Sequence, residues 1–461
     1  MLKTGNHVSG LRIAYIGGGS RNWAWNLLGD LALEPALGGE VLLYDIDFEA
    51  ARANEIIGNS IAENRGKWTY RAVRLLPEAL EGADFVIISI LPGTLDEMAV
   101  DVHLPERYGI YQSVGDTVGP GGILRAMRTL PMFHVIAEAV KAYCPQAWVI
   151  NYTNPMSVCV GTLHSVWPRI KAFGCCHELF SLQQEFANLV NKTYHPDTPA
   201  TYQDIAVNPL GINHFTFVDK AAYQGQDVLP LFDRVAREHA DDGDALAPEE
   251  GAHIWDKHFH CVNKVKFDLY LRYGLVPAGG DRHVAEFCPP WYLKNPQNVA
   301  RWGFMLTPVA HRKQMEAEKR AASRAMVAGE KAFEVRPSGE DEVAQMKALL
   351  GLEPLVTNVN LPNRGQIENL PLGAVVETNV IFQQDAIVPM LAGSIPGALH
   401  PLIHRHAAGQ SALVEATRAH DLESAFTVFL GDPLVDLTRD DARALFDAMV
   451  QGTRPYLDWW M

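Results

Sequence analysis

The chain has 461 residues, of which 48% are hydrophobic and 20% charged, and its formal net charge is −15. This length exceeds one ordinary hydrophobic core and predicts two domains, or one large α/β body with a second lobe. The acidic balance excludes proteins that gather nucleic acid or anionic lipid through a general basic field. No apolar stretch reaches the roughly 20 residues that span a bilayer, and no secretory signal is recognisable, so we expect a cytoplasmic protein.

The first 150 residues alternate short apolar runs with helical patterns, which is typical of βαβ units and a parallel sheet. Predicted strands cover residues 11–16, 41–44, 85–91 and 147–150, and predicted helices cover 23–33, 48–62 and 130–143. This order predicts an α/β fold with a Rossmann-type, doubly wound parallel sheet.

The alternation fades after residue 174, where longer mixed segments follow, including predicted helices at 312–335 and 440–451. We therefore expect a domain change between about residues 170 and 200. Residues 1–190 are predicted to form a dinucleotide-binding domain. Residues 191–461 are predicted to form a mixed α+β domain for substrate, metal and oligomerisation.

A glycine-rich loop follows the first predicted strand and precedes a predicted helix. Its residues are Gly17, Gly18, Gly19 and Ser20. Glycines let the backbone approach a pyrophosphate, and the helix N-terminus presents free N–H groups to it. Against the pattern G-x-G-x-x-G, Asn22 occupies the third glycine position, so the motif taken alone also fits a structural turn.

Asp45 strengthens the dinucleotide interpretation. It ends the next predicted strand, 26 residues after Gly19. An acid at this place accepts hydrogen bonds from the adenosine ribose hydroxyls, and it repels the 2′-phosphate of NADP. The sequence therefore predicts NAD as the cofactor.

Two further segments carry residues suited to a ligand site. Asn151 and Asn154 follow a predicted strand, where open α/β sheets place their ligands, so these amides are predicted to orient nicotinamide and substrate. The alternative is a turn, because Asn-Pro is a common turn former. Asp116 lies in the glycine-rich segment 112–122, which is either a site-lining loop or a turn-rich connection.

A metal site is suggested by the segments GCCHE, residues 174–178, and GINH, residues 211–214. A thiolate from Cys176 and an imidazole from His214 suit a divalent transition metal and leave positions open for substrate oxygens. The alternative is that both side chains are satisfied within a packed interface. The remaining cysteines are too sparse for a disulfide scaffold and are expected to be thiols.

The segments GGGS, NYTNPMS, CCHE and GINHF together resemble glycoside hydrolase family 4, whose members use NAD and usually Mn²⁺. The resemblance extends over essentially the whole chain. Residues 91–122, 280–287 and 349–366 are similar to stretches of the bacterial α-galacturonidases of that family. It implies hydrolysis of α-galacturonides by transient oxidation at the sugar C3, deprotonation at C2 and elimination at C1, without net consumption of NAD.

The resemblance also implies roles for individual residues. Cys176 and His214 correspond to metal ligands, and Asn154, His177 and Asp116 correspond to positions that contact the substrate. It further implies a homodimer or homotetramer. The neutral α-glucosides, or the acidic α-glucuronides, remain alternative substrates within the family.

The proton-transferring residues are less closely specified. Asp281 is our hypothesis for the base at C2, because it lies in the segment where some family members carry a catalytic tyrosine. His177 and Glu178 are candidates for the general acid, or for orienting the metal ligands. A uronide carboxylate calls for a guanidinium, for which Arg282 and Arg107 are candidates.

Two other functions fit parts of the pattern. A simple NAD-dependent dehydrogenase would share the glycine-rich loop but would leave Cys176 and His214 without a task. A dinucleotide-sensing regulatory protein would have to explain the polar residues by binding alone. Both differ from a glycosidase in a measurable way, because only the glycosidase releases free sugar without accumulating NADH.

Overall fold

The structure is a computed structural model that describes residues 1–243 and 259–461. Its strands are β1 (Leu2–Thr4), β2 (His7–Ile16), β3 (Leu37–Tyr44), β4 (Trp68–Val73), β5 (Phe85–Ile88), β6 (Trp148–Asn151), β7 (Lys171–Gly174), β8 (Ile205–Ile212), β9 (Phe215–Tyr223), β10 (Gln226–Asp227), β11 (Val276–Pro277), β12 (Leu355–Pro362), β13 (Val375–Gln383) and β14 (Ala386–Pro389).

Its α-helices are α1 (Trp23–Leu33), α2 (Phe48–Ser60), α3 (Leu76–Leu80), α4 (Leu95–His103), α5 (Gly119–Tyr143), α6 (Met156–Val166), α7 (Glu178–Tyr194), α8 (Leu229–Glu238), α9 (Lys264–Tyr273), α10 (Asp281–Val284), α11 (Pro296–Arg301), α12 (Val309–Val327), α13 (Glu342–Leu349), α14 (His400–Ala419), α15 (Leu422–Gly431) and α16 (Arg439–Gly452). None of these described helices is both long enough and apolar enough to cross a membrane.

The N-terminal half forms a parallel sheet with the strand order β4-β3-β2-β5-β6-β7. This is the order of a doubly wound Rossmann sheet, and it confirms the predicted fold class. The central strand segments are buried on both faces, which explains why they appear in sequence as continuous apolar runs. The order reverses between β2 and β5, and ligands of such sheets bind at the carboxyl ends of the strands beside this point.

Antiparallel strands of the C-terminal half continue the same sheet. β12 joins β7 through the pair Asn360 and Gly174, and β13, β8, β9 and β10 follow outward. Met346 of α13 packs in the hydrophobic cluster that also contains Ile13 of β2. A division into two domains near residue 190 stays a prediction, since the two halves share both a sheet and a core.

Most predicted elements of the first half are present with shifted ends. The largest difference is α5, which begins at Gly119 rather than at residue 130. Pro120 occupies its first turn, where the missing N–H removes no intrahelical hydrogen bond. The helix predicted to reach residue 335 ends at Val327 instead, and Gly329 follows with a left-handed φ of 73°.

Candidate active site

The loop after β2 packs directly on its neighbours. A Cβ added at Gly17 would lie 1.9 Å from the carbonyl oxygen of Ser89, and one at Gly18 would lie 2.7 Å from the Cβ of Leu43. Gly17 also has a φ of 92°, which L side chains rarely adopt. The loop therefore requires glycine, and it delivers the chain to the N-terminus of α1 in the position that suits a pyrophosphate.

Two polar side chains hold this loop in place. The N–H of Gly19 donates to Asp45 Oδ2 at 2.8 Å. Asn54, on α2, donates from its amide to the carbonyl oxygens of Gly18 and Ser20 at 2.8 and 2.9 Å. Burial raises the pKa of Asp45, and the N–H groups of Asp47 and Gly19 oppose that shift. Asn54 was not among the predicted residues, because a helical asparagine carries no local signal for such a role.

The two predicted asparagines after β6 differ in what they offer a ligand. The amide of Asn151 is buried and bonded to both the N–H and the carbonyl of Thr153 at 3.0 Å, so it shapes the turn. The Oδ1 of Asn154 is buried without a hydrogen-bond partner. Asn154 precedes a cis proline, Pro155. Of the two, Asn154 is the one with an amide oxygen left for a ligand.

Two groups of potential metal ligands meet at the carboxyl end of β7. The first consists of Cys176, Glu178 and His214, and the second of Asp116, His214 and His283. Within each group the ligand atoms lie within 4.8 Å of one another. His214 belongs to both groups, so all five side chains form one cluster, which we call the metal cluster.

Different elements supply these residues. Cys176 follows β7 and Glu178 begins α7, whereas Asp116 precedes α5 and His283 lies on α10. His214 occupies the tight turn between β8 and β9 with a left-handed φ of 64°, which is uncommon for a residue other than glycine. The rings of His214 and His283 stack with centroids 4.3 Å apart.

The ionisable side chains of the metal cluster shift one another's pKa values. Burial alone would raise the pKa of Glu178, but the neighbouring His283 and His214 outweigh it and lower that pKa to about 2. Burial would lower the pKa of His283, but Glu178 and Asp116 outweigh it and raise it. Glu178 and His283 consequently form an ion pair.

His214 is neutral, because burial lowers its pKa to about 4. Its Nδ1 lies 2.8 Å from the hydroxyl of Thr117, which donates to Asp116 Oδ1 at 2.7 Å. A hydroxyl has one hydrogen, so Thr117 must accept from the Nδ1–H of His214. This fixes the tautomer and leaves the Nε2 lone pair of His214 available to a cation.

The remaining ligands fit a divalent ion as well. Burial opposes ionisation of Asp116, but Arg125 and His214 outweigh it and hold the pKa of Asp116 well below its usual range. The Oε2 of Glu178 is buried without a hydrogen-bond partner. Burial, Glu377 and Glu178 raise the pKa of the Cys176 thiol, so a bound cation would have to displace its proton. Thiolate, imidazole and carboxylate together are a suitable donor set for a transition metal.

His177 contacts Glu340 and Trp23, whereas Cys176 and Glu178 on either side of it belong to the metal cluster. Its Nδ1 lies 3.0 Å from Glu340 Oε1, and its ring lies 5.9 Å from that of Trp23, at the start of α1. Burial lowers the pKa of His177, but Glu340 outweighs it and raises that pKa. His177 therefore lies on the side of the metal cluster that faces the glycine-rich loop.

The other predicted residues take part in separate networks. Asp281 is fully buried, and its Oδ1 accepts from the N–H of Lys266 at 2.9 Å. Burial raises its pKa to about 6, although the N–H of Lys266 opposes this. Asp281, the predicted base, thus lies two residues before His283 of the metal cluster, and it is hydrogen-bonded to the first turn of α9.

Arg107, the other arginine predicted for a uronide carboxylate, is exposed.

Arg282 uses its donors within the protein. Its Nε donates to the carbonyl of Met305 at 3.0 Å, and its Nη2 donates to Thr307 Oγ1 at 3.2 Å and to the carbonyl of Ser113. The Ser113 hydroxyl in turn donates to the carbonyl of Arg282. Arg282 thereby anchors the loop that carries Asp116, and this occupies most of the guanidinium fork.

Sequence reasoning missed several members of the site. His283 stands in the segment GDRH, which was noted for Asp281, so a signal was present. Glu377 gave none, because it lies within β13, where its carboxylate accepts from Thr216 Oγ1 at 2.6 Å and from Asn358 Nδ2 at 2.7 Å. Burial raises the pKa of Glu377 to about 7.

Comparison with known proteins identifies relatives over the whole chain. Residues 12–192 match the model for family 4 glycosyl hydrolases, and residues 210–435 match the model for the C-terminal domain of that family. An α-galacturonidase of Thermoanaerobacter italicus is 50% identical over 462 residues, covering 100% of both chains.

Solved structures share the fold. The crystal structure of the lplD protein of Bacillus subtilis superposes with a TM-score of 0.91 at 49% identity, covering 96% of this chain and 100% of that one. A 6-phospho-α-glucosidase from gut microorganisms, solved in complex with NAD and Mn²⁺, has a TM-score of 0.80 at 19% identity, covering 96% and 98%.

Proposed function

Because the chain belongs to family 4 of the glycosyl hydrolases and is a glycosidase, we propose that it hydrolyses α-galacturonides with NAD and Mn²⁺ as cofactors. The observation that carries the proposal is the metal cluster, which combines Cys176, Glu178 and His214 on a Rossmann sheet with a glycine-rich loop. The similarity to an α-galacturonidase over the full chain supports the choice of substrate.

The cofactors account for both unusual parts of the site. When bound, the dinucleotide supplies reversible hydride transfer, and the metal supplies Lewis-acid stabilisation of oxyanion charge. Residues 17–20 and Asp45 would hold the dinucleotide, and Cys176 and His214 would hold the metal. The Thr117 hydroxyl keeps His214 in the tautomer that this requires.

The chain's own side chains would perform the proton transfers and position the sugar. Asp281, with its pKa raised to about 6 by burial, is our choice for the base that removes the proton at C2. The free amide oxygen of Asn154 would accept a hydrogen bond from a hydroxyl of the sugar. His177, with a raised pKa, would contact the substrate from the dinucleotide side and donate a proton to the leaving group.

The proposal is tested with the purified chain and a chromogenic α-galacturonide, compared with the matching α-galactoside, α-glucoside and α-glucuronide. We expect release of galacturonate that requires NAD⁺ and Mn²⁺ and stops when EDTA removes the metal. Preference for any of the other glycosides would contradict the substrate. Accumulation of NADH at 340 nm in step with product would contradict the hydrolytic reaction and favour a dehydrogenase.

A further inference from the structure

The structure holds a partly buried arginine near the metal cluster, with one guanidinium N–H left without a hydrogen-bond partner. Arg312 lies in the first turns of α12, and its Nε is buried without a hydrogen-bond partner. Among the residues that the structure describes, no carboxylate forms an ion pair with it. A buried guanidinium N–H without a partner is costly unless an acceptor, such as an anion, completes its hydrogen bond.

The position of Arg312 is defined by an aromatic ring. Its guanidinium lies 5.0 Å from the centroid of Phe259, and the guanidinium of Arg282 lies 5.0 Å from the same centroid. Arg282 is bonded to the carbonyl of Ser113, three residues before Asp116. Phe259 and Arg282 thus place Arg312 next to the loop that carries Asp116 of the metal cluster.

The charge around this position is positive. Arg125, on α5, donates from Nε to the carbonyl of Asn154 at 3.2 Å, and no described carboxylate forms an ion pair with it. Burial, with Arg125, lowers the pKa of Arg312, while Asp116 opposes that shift. Arg125, Arg282 and Arg312 each interact electrostatically with Asp116, and Glu286 is a second acid near Arg282. The three arginines outnumber these two acids, and the surplus positive charge suits a ligand that brings its own negative charge.

A cofactor phosphate is the competing occupant, and the geometry of α12 argues against it. Lys319 of the same helix donates to Asn22 Oδ1 at 2.7 Å, at the end of the glycine-rich loop. Arg312 lies two turns earlier on α12, a displacement of about 10 Å along the helix axis. Lys319 therefore marks the end near the pyrophosphate, and Arg312 lies toward the metal cluster, where the sugar would bind.

We propose that Arg312 binds the carboxylate of a uronide substrate and determines the preference of this enzyme for uronides over neutral glycosides. This deepens the proposed function and rests on it. The planar fork of an arginine can donate two parallel hydrogen bonds to a carboxylate. Arg282, the candidate from sequence, instead acts as a structural partner of Ser113 and Met305.

The experiment uses the full chain with Arg312→Gln and Arg312→Lys. Arg324→Gln serves as the matched control, because Arg324 is an exposed arginine of the same helix. We expect Arg312→Gln to lower kcat/KM for an α-galacturonide by about 100-fold or more, mainly through KM, and to leave that for the matching α-galactoside within about twofold. Arg312→Lys, which keeps the charge but loses the fork, should show an intermediate loss, and Arg324→Gln should behave as wild type.

Direct binding provides a readout that does not depend on turnover. Calorimetry with the protein loaded with NAD and Mn²⁺ should show weaker binding of galacturonate to Arg312→Gln, with unchanged binding of galactose and of NAD. Equal losses for both sugars would overturn the proposal by showing a general structural role. Weaker NAD binding would overturn it by assigning Arg312 to the cofactor.

The outcome for the wild type separates the two proposals. If wild-type protein cleaves galacturonides and Arg312→Gln keeps the same preference, the inference about Arg312 fails while the proposed function stands. If wild-type protein cleaves none, the proposed substrate fails. Galacturonate binding that is lost in Arg312→Gln but retained in Arg324→Gln would then still support a carboxylate site.

Discussion

Asp281 accepts a hydrogen bond through Oδ1 from the backbone N–H of Lys266 at 2.9 Å, while its Oδ2 is buried without a partner. One carboxylate oxygen thus supports the first turn of α9, and the other is uncommitted. The same residue can serve the fold and remain available as a base, and an isosteric substitution separates the two roles.

Asp281→Asn should abolish the catalytic role and keep the structural one, because an amide oxygen can still accept from Lys266. We expect kcat to fall by about 10²- to 10⁴-fold, the range typical of a lost general base, with the melting temperature nearly unchanged. Exchange of deuterium at C2 of the sugar, followed by NMR, should be lost as well. Normal turnover with normal exchange would limit Asp281 to its role at the start of α9.

Thr117→Val should weaken metal binding without removing a ligand. The variant loses the hydroxyl that accepts from His214 Nδ1–H and donates to Asp116. Loss of such an outer hydrogen bond typically weakens metal affinity by about 10- to 100-fold, which titration with Mn²⁺ monitored by EPR would measure. The control is Thr162→Val, since the Thr162 hydroxyl donates to the carbonyl of Val158 within α6, away from the metal cluster. Equal Mn²⁺ affinity in both variants would show that Thr117 does not orient His214.

Gly18→Ala should impair NAD binding. Its Cβ would lie 2.7 Å from the Cβ of Leu43, so the loop would have to move away from β3. We expect at least about tenfold weaker binding in a fluorescence titration, because the backbone N–H groups would no longer converge on the pyrophosphate. Gly397→Ala is the control, since no atom lies within 4 Å of a Cβ there. Wild-type affinity in Gly18→Ala would mean that the loop tolerates the shift.

Asp45→Asn should narrow the preference for NAD over NADP. The amide oxygen can still accept from Gly19, but the negative charge that opposes a 2′-phosphate is gone. We expect the ratio of the two dissociation constants to change by about tenfold or more, measured by titration with each cofactor. An unchanged ratio would show that Asp45 acts on the loop alone and does not read the ribose.

Glu342→Gln should make stability less dependent on pH. Burial, with Asp30 and Glu340, raises the pKa of Glu342 from 4.5 to about 8, while its Oε2 accepts from the hydroxyl of Tyr152 at 2.9 Å. Between these two values the folded protein keeps a proton that the unfolded chain has released. Stability from this group is therefore complete below about pH 4.5 and is lost as the pH rises through 8.

Each such group contributes a slope of up to about 1.4 kcal/mol per pH unit to the free energy of unfolding. Urea unfolding at several pH values should therefore show a shallower decline for Glu342→Gln than for wild type. Glu286 and Glu377, whose pKa values burial raises to about 7, should maintain part of the decline. Glu63→Gln, at an exposed position, should follow the wild-type curve. Parallel curves for Glu342→Gln and wild type would rule out this contribution.

The sequence by itself determined the features that depend on neighbours in the chain. Buried parallel strands appear as apolar runs, and the loop of residues 17–20 followed by Asp45 is legible because strand, turn and helix are consecutive. Cys176 and His214 were found for the same reason, since each stands in a short segment of unusual composition. The start of α5 was missed because Gly119 and Pro120 look like loop residues, although a proline is compatible with a first turn.

Only the tertiary structure decided which distant side chains share one environment. The metal cluster gathers Asp116, Glu178 and His283 from segments far apart in the chain, and their pKa shifts arise from that proximity. The arginines show the same limit. Arg282 and Arg312 are equivalent in a sequence, but the fold directs donors of Arg282 to backbone carbonyls and leaves Arg312 beside Phe259 with its buried Nε unpartnered. Whether a charged side chain can bind a ligand depends on which hydrogen-bond partners the folded chain already provides for it.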